Sequence, residues 1–127
     1  MKKGYLIPIA ILAVILGFAL WNGITIQKNT ARWSSQLQQA VQMISTENWD
    51  SINCTLQNSY NDWQNRQTYL HIVLEHDAIN DADAMYRRAL AFTKAQEPKE
   101  LRAELADLQD QLKQITEMEQ LSLKNIL

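Results

Sequence analysis

The sequence predicts an all-α protein: an N-terminal transmembrane helix followed by an antiparallel helical bundle, of four helices or of three with a long middle one. Three observations lead there. An apolar run lies near the N-terminus, interrupted between Tyr5 and Ile26 only by Asn22 and Thr25. No glycine or proline occurs between Gly23 and Pro98, and strands and tight hairpins need that punctuation. The apolar residues after Thr30 recur at three- and four-residue spacing, the period of one helix face.

The apolar run comes first. Lys2 and Lys3 precede it. From Tyr5 to Ile26 it would span roughly 33 Å as a helix. A bilayer core needs about 20 residues of helix, and the run is that long. Pro8 falls in the first turn, where its missing N–H costs little. Tyr5 and Trp21 lie near the two ends, as interfacial aromatics do. A cleaved signal peptide is the rival reading. It fits poorly, because Phe18-Ala19-Leu20-Trp21-Asn22-Gly23 offers no small-x-small site. The expected organisation is therefore a short cytoplasmic N-terminus at 1–4, an uncleaved signal anchor at 5–26 and an extracytoplasmic bundle at 28–127. Lys2 and Lys3 favour that orientation, while Lys28 and Arg32 flank the other end and pull against it.

Thr30 is a candidate cap for a helix whose stripe is Trp33, Leu37, Ala40, Val41 and Ile44. Ser45-Thr46-Glu47-Asn48 is the first plausible turn. A second helix carries Trp49, Ile52, Leu56, Tyr60 and Trp63 on one face, with Asp50, Asn53, Gln57, Asn58, Asn61 and Gln64 opposite. A third stretch, from about Thr68 to Ala95, presents Ile72, Ile79, Met85, Tyr86, Ala89, Leu90 and Phe92. No breaker separates it from the second. If the first helix continues from the anchor, however, an unbroken second and third would run back into the membrane, so a turn is expected near Asn65–Gln67. Glu97-Pro98 ends the third helix and Pro98 opens the last one. The last helix has a coiled-coil-like seam, Leu101, Leu105, Leu108, Leu112 and Ile115, spaced 4, 3, 4, 3. Extended, it reaches Glu119, Ser122 and Ile126. The seam is expected to pack on its own domain rather than on a partner chain.

The formal net charge of -2, without a basic cluster, gives no electrostatic case for nucleic acid. The single cysteine, Cys54, excludes an intrachain disulfide. It lies off the apolar stripe of its helix, where an interchain bridge is open to it. No nucleotide loop, nucleophile elbow or paired-cysteine metal motif occurs, so no catalytic residue, cofactor or metal ligand is assigned. A hairpin about Gln96–Glu97 would set Phe92 against Leu101, Met85 against Leu108 and His76 against Glu119, with Asp83 two turns along the same face. The favoured reading of His76, Glu119 and Asp83 is a structural polar group that fixes helix register, with His76→Ala destabilising the domain and leaving metal content unchanged. Exposure at a loose bundle end, or a metal or catalytic site using His71, Glu75, His76 and Glu119, are the alternatives. His71-Ile72-Val73-Leu74-Glu75-His76 lacks zincin spacing. Trp33, Trp49 and Trp63 are read as core aromatics rather than a ligand cage, since each lies on an apolar stripe.

The basic-apolar start, Trp49 and Trp63, Leu74-Glu75-His76-Asp77-Ala78-Ile79, and the ending from Glu119 through Asn125 to Leu127 resemble a family of uncharacterised membrane-anchored proteins of Gram-positive, spore-forming bacteria, a domain of unknown function. A weaker likeness is to a small membrane-anchored helical sporulation protein of the stage III engulfment complex. The family resemblance implies a helical extracytoplasmic domain, no known enzyme activity, and a neighbouring multi-spanning membrane protein as partner. It carries over no functional residues. The function expected is a non-enzymatic accessory or scaffold protein at the cell membrane, held by the lipid bilayer and binding an integral membrane protein or its own copies. The alternative is an extracytoplasmic sensor for a small ligand or metal, acting through a membrane partner.

Overall fold

The computed structural model describes residues 2–126, the side chains at 2, 3, 122, 123 and 126 excepted. The expectations for Lys2, Lys3, Ser122 and Ile126 as side chains therefore lie outside the described residues. Five helices follow in order: α1 (Lys2–Ile44), α2 (Trp49–Asn65), α3 (Gln67–Val73), α4 (His76–Lys94) and α5 (Pro98–Ile126). No strand occurs among the described residues.

The apolar segment and the first bundle helix are one helix of 43 residues. At 1.5 Å per residue, that makes a rod about 65 Å long. Thr30 is therefore no cap. Its hydroxyl donates back to the Ile26 carbonyl at 3.0 Å, the local bond that a mid-helix threonine makes. The large apolar side chains from Tyr5 to Ile24 that point away from the protein are 48–73% exposed, whereas Ile26, Trp33, Leu37 and Ala40 are fully buried. Character thus changes along a single rod without a break in its backbone.

Ser45–Asn48 turns the chain as expected. Glu47 takes a positive φ. The Asn48 side chain accepts from the Ser51 N–H and so caps α2. The second reversal differs from expectation. Arg66, with φ -104° and ψ 8°, only dents the helix, and α3 carries the chain on for seven more residues. The true break is at Leu74 and Glu75, both extended, with ψ 164° and 134°. The stretch from Thr68 to Ala95 is thus two helices. The reason lies in tertiary contacts: Leu70 is buried in the core and Tyr69 reaches α1, so the chain does not turn until both are placed.

The α4–α5 connection closes as a Schellman motif. Gln96 N–H donates to the Thr93 carbonyl (3.1 Å) and Glu97 N–H to the Phe92 carbonyl (3.0 Å). Gln96 takes the left-handed conformation that this motif requires, and Pro98 then starts α5. In space α1 packs on α2 and α5, and α4 packs on α2 and α5. The result is a ring of four long helices, with α3 prolonging α2. The seam Leu101, Leu105, Leu108, Leu112 and Ile115 is at most 1% exposed, buried within its own chain.

Candidate functional site

Two layers of polar groups cross the bundle. The upper one surrounds an aromatic core. Trp33 and Trp63 meet edge-on with ring centroids 5.1 Å apart, a favoured aromatic geometry. Tyr86 lies 5.7 Å from Trp63. It lies 5.5 Å from Tyr60. Each buried indole keeps its N–H paired with a carboxylate: Trp33 Nε1 donates to Asp62 at 2.7 Å, and Trp63 Nε1 to Asp83 at 3.3 Å. Asp62 also receives Arg32 Nε at 2.9 Å and faces Arg66 at 3.6 Å, an ion pair too long to be a hydrogen bond. Burial pushes the Asp62 carboxyl up. The bonds from Arg32 and Trp33 and the charges of Arg32 and Arg66 outweigh that and hold it below the usual carboxylate range, since each favours the charged form. Asp83 pairs with Arg87 at 3.2 Å, one turn along α4. The hydroxyls of Ser59 and Tyr86 bond at 2.8 Å. Burial drives the Tyr86 phenol far above its ordinary value, because a phenolate there would lack solvation.

The lower layer lies where α1 leaves the bundle. Asn22, only 6% exposed, donates through Nδ2 to Glu119 at 3.0 Å and accepts from the Tyr69 hydroxyl. Trp21 stands edge-on to Tyr69 at 6.4 Å. Burial and the Glu119 charge both raise the Tyr69 phenol. Further along α1, the Thr30 and Thr116 hydroxyls bond at 2.7 Å. Beside them a groove of about 470 Å³ opens between α1 and α5, edged by Gln27, Ser34, Gln109, Lys113 and Glu117. Gln109 Nε2 donates across it to Gln38 at 3.1 Å.

Against these positions the expected sites divide. Trp33 and Trp63 are core aromatics with no exposed surface, and Trp49 packs on the core at its edge. The polar group of His76, Glu119 and Asp83 does not assemble. Glu119 meets Asn22, Asp83 meets Trp63 and Arg87, and His76 pairs its Nδ1 with that of His71 at 2.8 Å on the surface. The hairpin register explains the difference. Arg88 binds Glu104 at 2.7 Å and Gln111 reaches the Ala78 carbonyl at 3.1 Å. The helices are therefore displaced from the pairing expected, by several residues at the His76 end. Met85, Leu90 and Phe92 pack on the core as partly buried residues, but Ile72, placed on the apolar face by its spacing, is 77% exposed. Cys54 is exposed and free. Asn22, Asp62 and Tyr69 were missed by sequence reasoning. Asn22 was legible as a polar interruption of the apolar run, while Asp62 and Tyr69 carry no local signal.

Hydropathy also placed the start of the bundle late. Packing begins at Asn22 and includes Ile26, both ahead of residue 28. Hydropathy cannot separate an apolar side chain facing protein from one facing outward. Among the described residues no group of three or more His, Cys, Asp or Glu side chains is close enough together to hold a metal ion.

Fold and contacts together define a class: a four-helix bundle continuous with an N-terminal apolar helix, one long and apolar enough to cross a membrane. Within that class the chain belongs to the family described as a domain of unknown function, DUF4363, whose model matches residues 20–126. The match begins at the level of Trp21 and Asn22, where the bundle begins. No curated protein and no solved structure matches the chain.

Proposed function

We propose that this protein is a single-pass, membrane-anchored accessory or scaffold protein without enzymatic activity. Its bundle lies outside the cytoplasm and binds an integral membrane protein or further copies of itself. The observation that carries the reading is the continuity of α1. Residues 4–21 expose their apolar side chains on all sides. They span about 27 Å, close to the thickness of a bilayer core. The same helix then becomes a wall of the bundle. A helix that is apolar all round needs an apolar solvent. The hydrogen-bonded join through Asn22, Tyr69 and Glu119 suits a domain held at a set height and rotation above the bilayer. The half-buried acidic groups support a non-catalytic role, since Asp62, Asp83 and Glu119 each accept hydrogen bonds from the chain's own donors.

A second reading, a small-ligand sensor acting through a membrane partner, has the α1–α5 groove in its favour, a concavity of ligand size with convergent polar groups. Two experiments separate them. Carbonate-resistant membrane association with protease-accessible bundle in intact cells whose outer layers are removed is expected; a carbonate-soluble protein overturns the anchor. Crosslinking in membranes followed by detergent extraction is expected to recover a membrane-protein partner or a homo-oligomer. Recovery of the monomer alone, with a thermal shift on adding a small polar ligand that Thr116→Val abolishes, would favour the sensor.

A further inference from the structure

We infer that the base of the bundle is itself a lipid-binding surface, seated in the headgroup and upper acyl region of the bilayer beside the anchor. The inference rests on the anchored reading of α1 and adds a second contact with the membrane. Trp21 of α1, Ile72 of α3, and Met118 and Leu121 of α5 are 57%, 77%, 38% and 59% exposed. They share one end of the bundle. Tyr69 touches Trp21 and Asn22, which puts the last turn of α3 at that level, and Asn22 touches Glu119, which puts Met118 and Leu121 there too. Scattered apolar residues on a soluble surface need no explanation, but apolar residues from three elements gathered at one end do.

The occupant follows from the direction of the helices. Because α1 and α5 are antiparallel, α5 continues past Glu119, which meets Asn22, toward the exposed apolar part of α1. By Ile126 it has descended about 10 Å below the level of Asn22, at 1.5 Å per residue. If the exposed apolar part of α1 crosses the bilayer with Trp21 at its interface, that length of α5 must enter the interface beside it. What it carries suits that zone. Leu121 has its body exposed. Lys124, also exposed, can lay its stem along the acyl boundary with its ammonium among the phosphates. Trp21 and Tyr69, edge-on at the same level, are the aromatic pair characteristic of an interface. At the opposite end, the turns at Ser45–Asn48 and Ala95–Glu97 are exposed and carry no large apolar side chain, with no such group among the described residues.

The test uses the full chain carrying Cys54→Ser, reconstituted into vesicles of phosphatidylcholine and phosphatidylglycerol. Single nitroxide labels are placed at Ile11→Cys, Ile72→Cys, Leu121→Cys and Gln57→Cys. Accessibility to oxygen, which partitions into lipid, is compared with accessibility to a water-soluble nickel chelate. The expected result is an oxygen-to-nickel ratio several-fold higher at 72 and 121 than at 57, and highest at 11. A lipid-like ratio at 11 with water-like ratios at 72 and 121 overturns the inference and leaves the anchor standing. A water-like ratio at 11 overturns the anchored reading and the inference with it.

Discussion

Asp62 ties α1 to α2 through one side chain, accepting from Trp33 and Arg32 of α1 and facing Arg66 just beyond its own helix. In Asp62→Ala the Trp33 indole N–H, in a fully buried ring, loses its partner. We expect a loss of about 1–3 kcal/mol in stability, measured by denaturant unfolding of the bundle. The carboxyl is depressed in the folded state. Its contribution is therefore full above the ordinary carboxyl value of about 4 and is lost as pH falls through the lower folded value. Acid unfolding followed by circular dichroism should accordingly be shallower in Asp62→Asn than in the parent. His76 offers the contrast. It is exposed, and its side-chain hydrogen bond among the described residues is to His71. His76→Ala should change stability by no more than about 0.5 kcal/mol, against the destabilisation expected of a buried register-fixing residue. A larger loss would mean that the His71 contact holds the α3–α4 bend.

Among the elements, α5 is the one whose sequence pattern and packing agree most closely. Leu108 is fully buried in the middle of the seam. Leu108→Ala should cost about 2–5 kcal/mol, read from the shift of the urea midpoint. The connection before α5 is closed by Gln96 at a positive φ, a position that glycine commonly occupies in such caps. Gln96→Gly relieves about 1–2 kcal/mol of left-handed strain and gives back part of it as unfolded-chain entropy. A net gain of about 0.5 kcal/mol and a higher Tm are expected. The helix boundaries show where local signals run out. Ser45–Asn48 and Glu97-Pro98 carry cap and breaker chemistry and were found in place. Leu74 and Glu75 carry none, and the break there depends on where Leu70 and Tyr69 come to rest. The same holds for His76 and Glu119: both were legible as polar residues on helices, but their pairing depended on a register that only contacts such as Arg88–Glu104 establish.

For the molecule as a whole, α1 belongs to two environments, and the change of environment occurs at Trp21 and Asn22 rather than at the end of the apolar run. A fragment starting at residue 20 keeps Asn22 and Ile26, and one starting at residue 28 loses both. Ile26 is fully buried, and Tyr69 and Glu119 would lose their partner. The shorter fragment should be less stable by at least about 2 kcal/mol, which thermal unfolding of the two fragments checks. Helix content, the order of the long helices, the inward faces of α1, α2 and α5, and an N-terminal segment too apolar for water all follow from residue spacing and breaker placement, which are local properties of the chain. Which apolar residues meet protein and which are left outward, Ile26 against Ile24 and Leu70 against Ile72, was decided by packing. So were the cross-helix partners of Asn22, Trp33 and Trp63, because a one-dimensional pattern specifies a helix face but neither the height at which helices meet nor the neighbour that a face will find.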